Sequence, residues 1–87
     1  SAKIAIVPLT TTVRSNITDQ RIGFVKLIVG KKRVIVGGTI VGPHASDIAA
    51  ELALAVRHKI TSEELASTPH CFTSWSEVVR IAAGKLL

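Results

Sequence analysis

Residues 42–59 set the problem that any fold of this chain must solve. Gly42-Pro43-His44-Ala45 breaks an extended segment, and the chain then runs Ser46-Asp47-Ile48-Ala49-Ala50-Glu51-Leu52-Ala53-Leu54-Ala55-Val56-Arg57-His58-Lys59. Pro43 has no N–H to give and Ser46 can cap a first turn, so the spacing predicts a helix from near Ser46 to near Lys59. Arg57 and Lys59 fall in its last turn, where the helix dipole favours cations. Ile48, Leu52, Ala55 and Val56 form one stripe at helical spacing. Ala49, Ala50, Ala53 and Leu54 fill most of the rest, and only Asp47 and Glu51 interrupt.

A helix that is apolar nearly all round must be buried nearly all round. A chain of 87 residues has too little mass to cover both sides of it. Each large side chain left in water forgoes roughly 1.5–3 kcal/mol. One face is therefore expected to lie on the chain's own sheet and the other on a partner, where small alanines let a second helix approach closely. A two-fold homodimer is the commonest arrangement of this kind. Its expected interface residues are Ile48, Ala49, Leu52, Ala53 and Val56. The alternative is an ordinary core helix with an Ala-rich exposed face.

Length allows one domain, residues 1–87. An apolar share of 47% and a charged share of 20% are those of a folded soluble protein. No run approaches a membrane span, and no signal peptide stands at Ser1. The single cysteine, Cys71, excludes an intrachain disulfide, a Cys-x-x-Cys redox pair and a zinc cage within the chain, so no metal site is expected. It fits a reducing compartment, and a cytoplasmic location is the expectation. The formal charge of +5 raises the question of nucleic acid. The densest basic stretch, Lys31-Lys32-Arg33, sits between two strand-like runs, where charge is usually only solvated, and no aromatic residue interleaves with it to stack bases. Nucleic acid is therefore not an expected partner. The chain begins with Ser1 and contains no methionine, which reads as a removed initiator or a piece of something longer.

Residues 3–9 read as a strand that Pro8 confines to an edge or an end. Residues 10–20 are polar without a clear period and read as loop. Residues 23–29 form a strand with Phe24, Lys26 and Ile28 on one face and Val25, Leu27 and Val29 on the other. A short turn at 30–32 returns the chain as a second strand over 33–41, an antiparallel hairpin. Gly37-Gly38 predicts a bulge, a bend or a close approach to the backbone. Thr61-Ser62-Glu63-Glu64 matches a capping box and should start a short helix through Ala66. A loop over 67–73 carries His70, Cys71 and Phe72. A second capping box, Ser74-Trp75-Ser76-Glu77, should start a last helix with Val78, Ile81, Ala82 and Leu86 on its buried side. Strands first and helices after give an α+β fold, an antiparallel sheet with helices packed on one face.

Gly23-Phe24-Val25-Lys26-Leu27, the hairpin, Gly38-Thr39-Ile40-Val41-Gly42-Pro43-His44-Ala45, the Ala-rich helix and Leu65-x-x-Thr68-x-His70 together resemble the C-terminal dimerisation domain of the pyridine nucleotide-disulfide oxidoreductases. Dihydrolipoamide dehydrogenase, glutathione reductase and mercuric reductase belong to that family. The likeness covers about residues 20–84 in order and spacing. It implies homodimer formation through the 46–58 helix, and closure of the partner subunit's active site by the loop near residues 70–77, with Cys71, Phe72 and Thr73 in that loop. It also implies FAD- and NAD(P)-binding domains in a longer parent enzyme. No Gly-x-Gly-x-x-Gly turn is present in this chain, so no cofactor of its own is expected.

Members with thiol chemistry carry His-Pro-Thr-x-x-Glu before the last helix, the histidine as general acid/base and the glutamate as its orienter. Glu77 matches that glutamate and Ser74 the threonine. The catalytic histidine position is Phe72 and the proline position is Thr73. Phenylalanine cannot move a proton, and in this the sequence resembles the mercuric reductase branch more than true dihydrolipoamide dehydrogenase. Glu77 and His70 remain the candidate catalytic residues, His70 only if a loop shift brings it to Glu77. For Glu77 the alternative is a capping partner; for His70, a loop side chain satisfied by backbone. Trp75 reads as a helix-start packing residue and His44 as a side chain that caps or packs at the helix start. Four functions follow as expectations: the dimerisation module of an FAD- and NAD(P)-dependent oxidoreductase, itself inactive; an autonomous dimeric scaffold or binding domain; a small enzyme using His70, Cys71 and Glu77; or a basic nucleic-acid binder.

Overall fold

A computed structural model describes residues 2–87. Strand β1 (Lys3–Pro8) pairs antiparallel with β2 (Phe24–Val29), and β2 pairs antiparallel with β3 (Ile35–Val41). The spatial order is the chain order, with β2 in the centre. Pro8 ends an edge strand, where its missing N–H leaves no central ladder bond unmade. The alternation in β2 falls as its pattern dictates: Val25, Leu27 and Val29 are buried and Phe24, Lys26 and Ile28 half-buried.

Helix α2 (Ala45–Arg57) lies on β3, and α4 (Glu77–Gly84) lies on β1 and β2. Short helix α3 (Ser62–Ser67) packs against α4. The core is the space between sheet and helices. It holds Val7, Leu9, Val25, Leu27, Val29 and Ile35 against Ile48, Leu52, Leu65, Val78 and Val79. Ala82 and Leu86 are buried as expected, Ile81 is half-buried, and Val79 and Ala83 join the buried side of α4. The other face of the sheet stays open, with Ile4, Ile6 and Val41 exposed on it. The α+β expectation holds, with α2 and α4 on one face.

Residues 10–20 are not loop. A 3-10 turn (Leu9–Thr11) is followed by helix α1 (Val13–Thr18). Six residues are too few to show an apolar period, and polar groups define this helix instead. The Thr12 side chain accepts from the Ser15 N–H at 3.2 Å, and the buried Ser15 hydroxyl donates to the Gln20 carbonyl at 2.6 Å. Asp19 closes the end with left-handed backbone.

The hairpin bulge falls one residue before the glycines. Val29 pairs with Ile35 and Ile28 with Gly37, so Val36 is the extra residue. Gly38 marks a close approach: a Cβ there would lie 2.9 Å from the Lys26 carbonyl oxygen and 3.2 Å from Leu52 Cδ1. Helix α2 thus seats its Leu52 over a bare backbone.

The α2 N-cap is His44, in the left-handed region at φ 60°, and not Ser46, which lies one residue inside the helix with no capping bond. Gly42 sets the turn at φ 139°, and a Cβ on it would fall 2.5 Å from Leu9 Cδ1. That clash explains the glycine of Gly-Pro-His-Ala. The helix ends at Arg57, so Lys59 lies beyond it at φ 55°.

The two capping-box signatures part company. Thr61 caps α3 with both reciprocal bonds, its hydroxyl accepting from the Glu64 N–H and the Glu64 carboxylate accepting from the Thr61 N–H. The Ser74 signature is not used. Helix α4 starts at Glu77, its N-cap Ser76 makes no side-chain cap bond, and the Ser74 hydroxyl bonds Cys71 O at 2.6 Å and Ser76 Oγ at 2.9 Å.

Candidate functional site

Two regions carry the expected functional residues: the outer side of α2 and the loop between α3 and α4. The five expected interface residues divide between two faces of α2. Ile48 and Leu52 are 3% and 7% exposed, packed into the chain's own core, and Leu52, drawn inward over Gly38, also lines the groove between α2 and β3. Ala49, Ala53 and Val56 are open. They form one wall of a groove of about 720 Å³ whose floor is Gly37, Gly38 and Ile40 of β3. The groove exists because Gly38 has no side chain to fill it and the alanines are short. Leu54, 58% exposed, lies on the other flank of α2, beside a second groove of about 560 Å³ shared with α3.

In the loop, His70 does not meet Glu77. Its side chain is only 4% exposed, and its Nε2 lies 2.5 Å from Glu51 Oε2 of α2. Its Nδ1 lies 2.8 Å from the Thr68 carbonyl oxygen, so Nδ1–H donates there. The Nε2 contact pairs the ring with the carboxylate. With both nitrogens engaged, the ring is not offered to the neighbouring Cys71, which is exposed and free. The His70 alternative as acid/base partner of Glu77, and the Cys71–His70 pairing, therefore have no geometry to support them. Glu51, which reads in the sequence only as a charge interrupting an apolar helix, is the residue that fixes His70. Its signal was that interruption: a carboxylate on an apolar helix needs a partner.

Glu77 is turned inward, its side chain 10% exposed. Oε2 meets Arg80 Nη2 at a long 3.4 Å, and Oε1 is buried without a partner among the described residues. Leaving a buried acceptor unsatisfied costs about 1–3 kcal/mol. Phe72, in the loop before α4, is 75% exposed. Trp75 is half-buried against the core and stacks on His44, ring centroids 5.9 Å apart, which bears out both packing roles.

Thr73 adopts φ 45°. A β-branched residue there is an outlier that costs on the order of 1–3 kcal/mol. Proline, with φ locked near –65°, could not take this conformation. Arg14 holds it: Nε–H donates to the Thr73 carbonyl oxygen at 2.7 Å and Nη2 to its Oγ1 at 3.0 Å. No sequence signal marked Arg14, because it lies in the polar stretch that hid α1.

Among the described residues no group of three or more His, Cys, Asp or Glu could hold a metal, and no helix is long and apolar enough to cross a membrane. The sheet of the described residues is wholly antiparallel.

The sequence pattern described as the pyridine nucleotide-disulphide oxidoreductase dimerisation domain matches residues 1–83. A protein named NAD(P)H dehydrogenase (quinone), from Mycobacterium tuberculosis, is 35% identical over 88 aligned residues, covering 100% of this chain and 18% of its own length. The dihydrolipoyl dehydrogenase of Geobacillus stearothermophilus is 39% identical over 77 residues, covering 87% of this chain and 16% of its own. The crystal structure of LpdA from Mycobacterium tuberculosis superposes with a TM-score of 0.94 at 35% identity, over 100% of this chain and 19% of that one. The chain thus spans less than a fifth of the length of these relatives. With the sequence pattern matched almost from end to end and the fold superposing throughout, the chain belongs to the dimerisation-domain family of the pyridine nucleotide-disulphide oxidoreductases.

Proposed function

We propose that this chain is the homodimerisation module of an FAD- and NAD(P)-dependent oxidoreductase and that its 70–77 loop closes the active site of the partner subunit. The observation that carries the reading is the open strip Ala49, Ala53 and Val56 above the β3 groove, in a chain of a dimerisation family. Small side chains there let a two-fold copy of α2 approach closely, and the partner's large side chains have a groove to fill. The FAD and NAD(P) domains would cover the open sheet face at Ile4, Ile6 and Val41. The nucleotides would sit in those domains.

Phe72 bears on the acceptor. Thiol enzymes of the family need a histidine there to move a proton, and this chain offers an exposed aromatic ring instead. That supports an acceptor reduced without a proton relay from this loop, in line with the word quinone in the name of the mycobacterial relative.

Sedimentation equilibrium tests the module. The chain is expected to be dimeric. Ala53→Glu is expected to raise the dimer Kd about 100-fold, the ~3 kcal/mol of an unpaired charge at an interface. A compact monomer at high concentration would remove the dimer reading. A colourless native gene product, with no flavin absorbance, would remove the flavoenzyme and bring forward the autonomous scaffold.

A further inference from the structure

We infer that Arg14 is a positioning residue that presents Phe72, by holding Thr73 in its left-handed conformation. The inference rests on the reading that the loop reaches the partner's active site. The geometry is a fork on a single residue, 59 positions away in sequence: Nε–H on the Thr73 carbonyl at 2.7 Å and Nη2 on its Oγ1 at 3.0 Å. Arginine is suited to this because its planar guanidinium presents two donors at fixed geometry, where lysine offers a point charge. The base of the fork is rigid, since α1 is capped by Thr12 and anchored by the fully buried Ser15.

The loop is fixed on both sides of its tip. Before it, His70 is pinned to Glu51 of α2. After it, Thr73 is pinned to Arg14 of α1. Between them Cys71 and Phe72 stand out into solvent, and the turn is closed by the Ser74 N–H on the Cys71 carbonyl at 3.0 Å. Arg14 grips the residue next to Phe72 in a backbone state that threonine avoids on its own. A contact serving stability alone would need no strained residue, because a glycine at 73 takes the same φ freely. The strain is kept where it aims an aromatic side chain, and α1 thereby becomes part of the apparatus of the site.

The test is cleavage by chymotrypsin after Phe72 in the 87-residue chain, followed by mass spectrometry, with far-UV circular dichroism confirming the fold. Phe24 and Trp75 are half-buried, so Phe72 is the open aromatic site. Cleavage follows the population of the open loop. Arg14→Ala is expected to speed it about tenfold. Arg14→Lys and Thr73→Val, each removing one arm of the fork, should fall in between; Thr73→Val lies outside α1 and so separates loss of grip from loss of the helix. Rates within twofold of wild type for all three variants would overturn the inference, as would a global loss of structure in both Arg14 variants with wild-type cleavage in Thr73→Val. The second arm uses the flavoenzyme that carries this domain. Arg14→Ala and Phe72→Ala are expected to raise the KM for a soluble benzoquinone about tenfold with the rate of flavin reduction by NAD(P)H unchanged. Faster cleavage with unmoved acceptor kinetics in both variants would leave the grip standing and remove the partner-site reading.

Discussion

Thr61 to Glu64 and Ser74 to Glu77 carry the same four-residue signature and come to opposite ends. At α3 both reciprocal bonds form, on an exposed surface where nothing else competes for the threonine hydroxyl or the glutamate. At α4 neither forms. The Ser74 hydroxyl is taken by the Cys71 carbonyl and Ser76, and Glu77 is turned into the protein with one oxygen unpartnered. A capping box is worth about 0.5–2 kcal/mol, which decides a surface turn and loses to a tertiary arrangement that fixes the same side chains. Glu64 is accounted for by the cap it makes, whereas Glu77 is buried with a long contact to Arg80.

The comparison can be broken in several ways. The largest effect is expected from Leu65→Ala, which removes the buried anchor of α3 while leaving its cap intact. It should cost about 2–5 kcal/mol in urea denaturation, and a loss smaller than that of the cap variants would mean that the cap, not the core, holds α3. Next comes Glu77→Met, which removes the unpartnered buried carboxylate at similar volume. Stability should rise by about 1–3 kcal/mol, and a fall would show that the carboxylate is satisfied after all and structural. The capping pair itself sharpens the contrast: Thr61→Ala should cost about 1 kcal/mol, and Ser74→Ala should stay within about 0.5 kcal/mol of wild type. Equal costs would erase the distinction between the two boxes.

Much of the fold was legible because it rests on period and punctuation. The alternation in Phe24–Val29, the hairpin, the length of α2 and the cap at Thr61 are local patterns that the observed fold keeps. Helix α1 was not legible, since its six residues are set by the hydroxyls of Thr12 and Ser15 and by Arg14, none of which produces an apolar period. Among the expected interface residues, the open positions Ala49, Ala53 and Val56 could be told from Ile48 and Leu52 only once Gly38 had shown which side of α2 meets the sheet.

The chain's sequence by itself determined that α2 is apolar nearly all round and that all three strands precede it. Those are matters of residue type and spacing, and they survive any rearrangement of the fold. Only the tertiary structure decided that His70 belongs to Glu51, that Arg14 belongs to Thr73, and that the second capping box goes unused. The first two contacts join residues 19 and 59 positions apart, and side chains so far separated meet only after the core has packed.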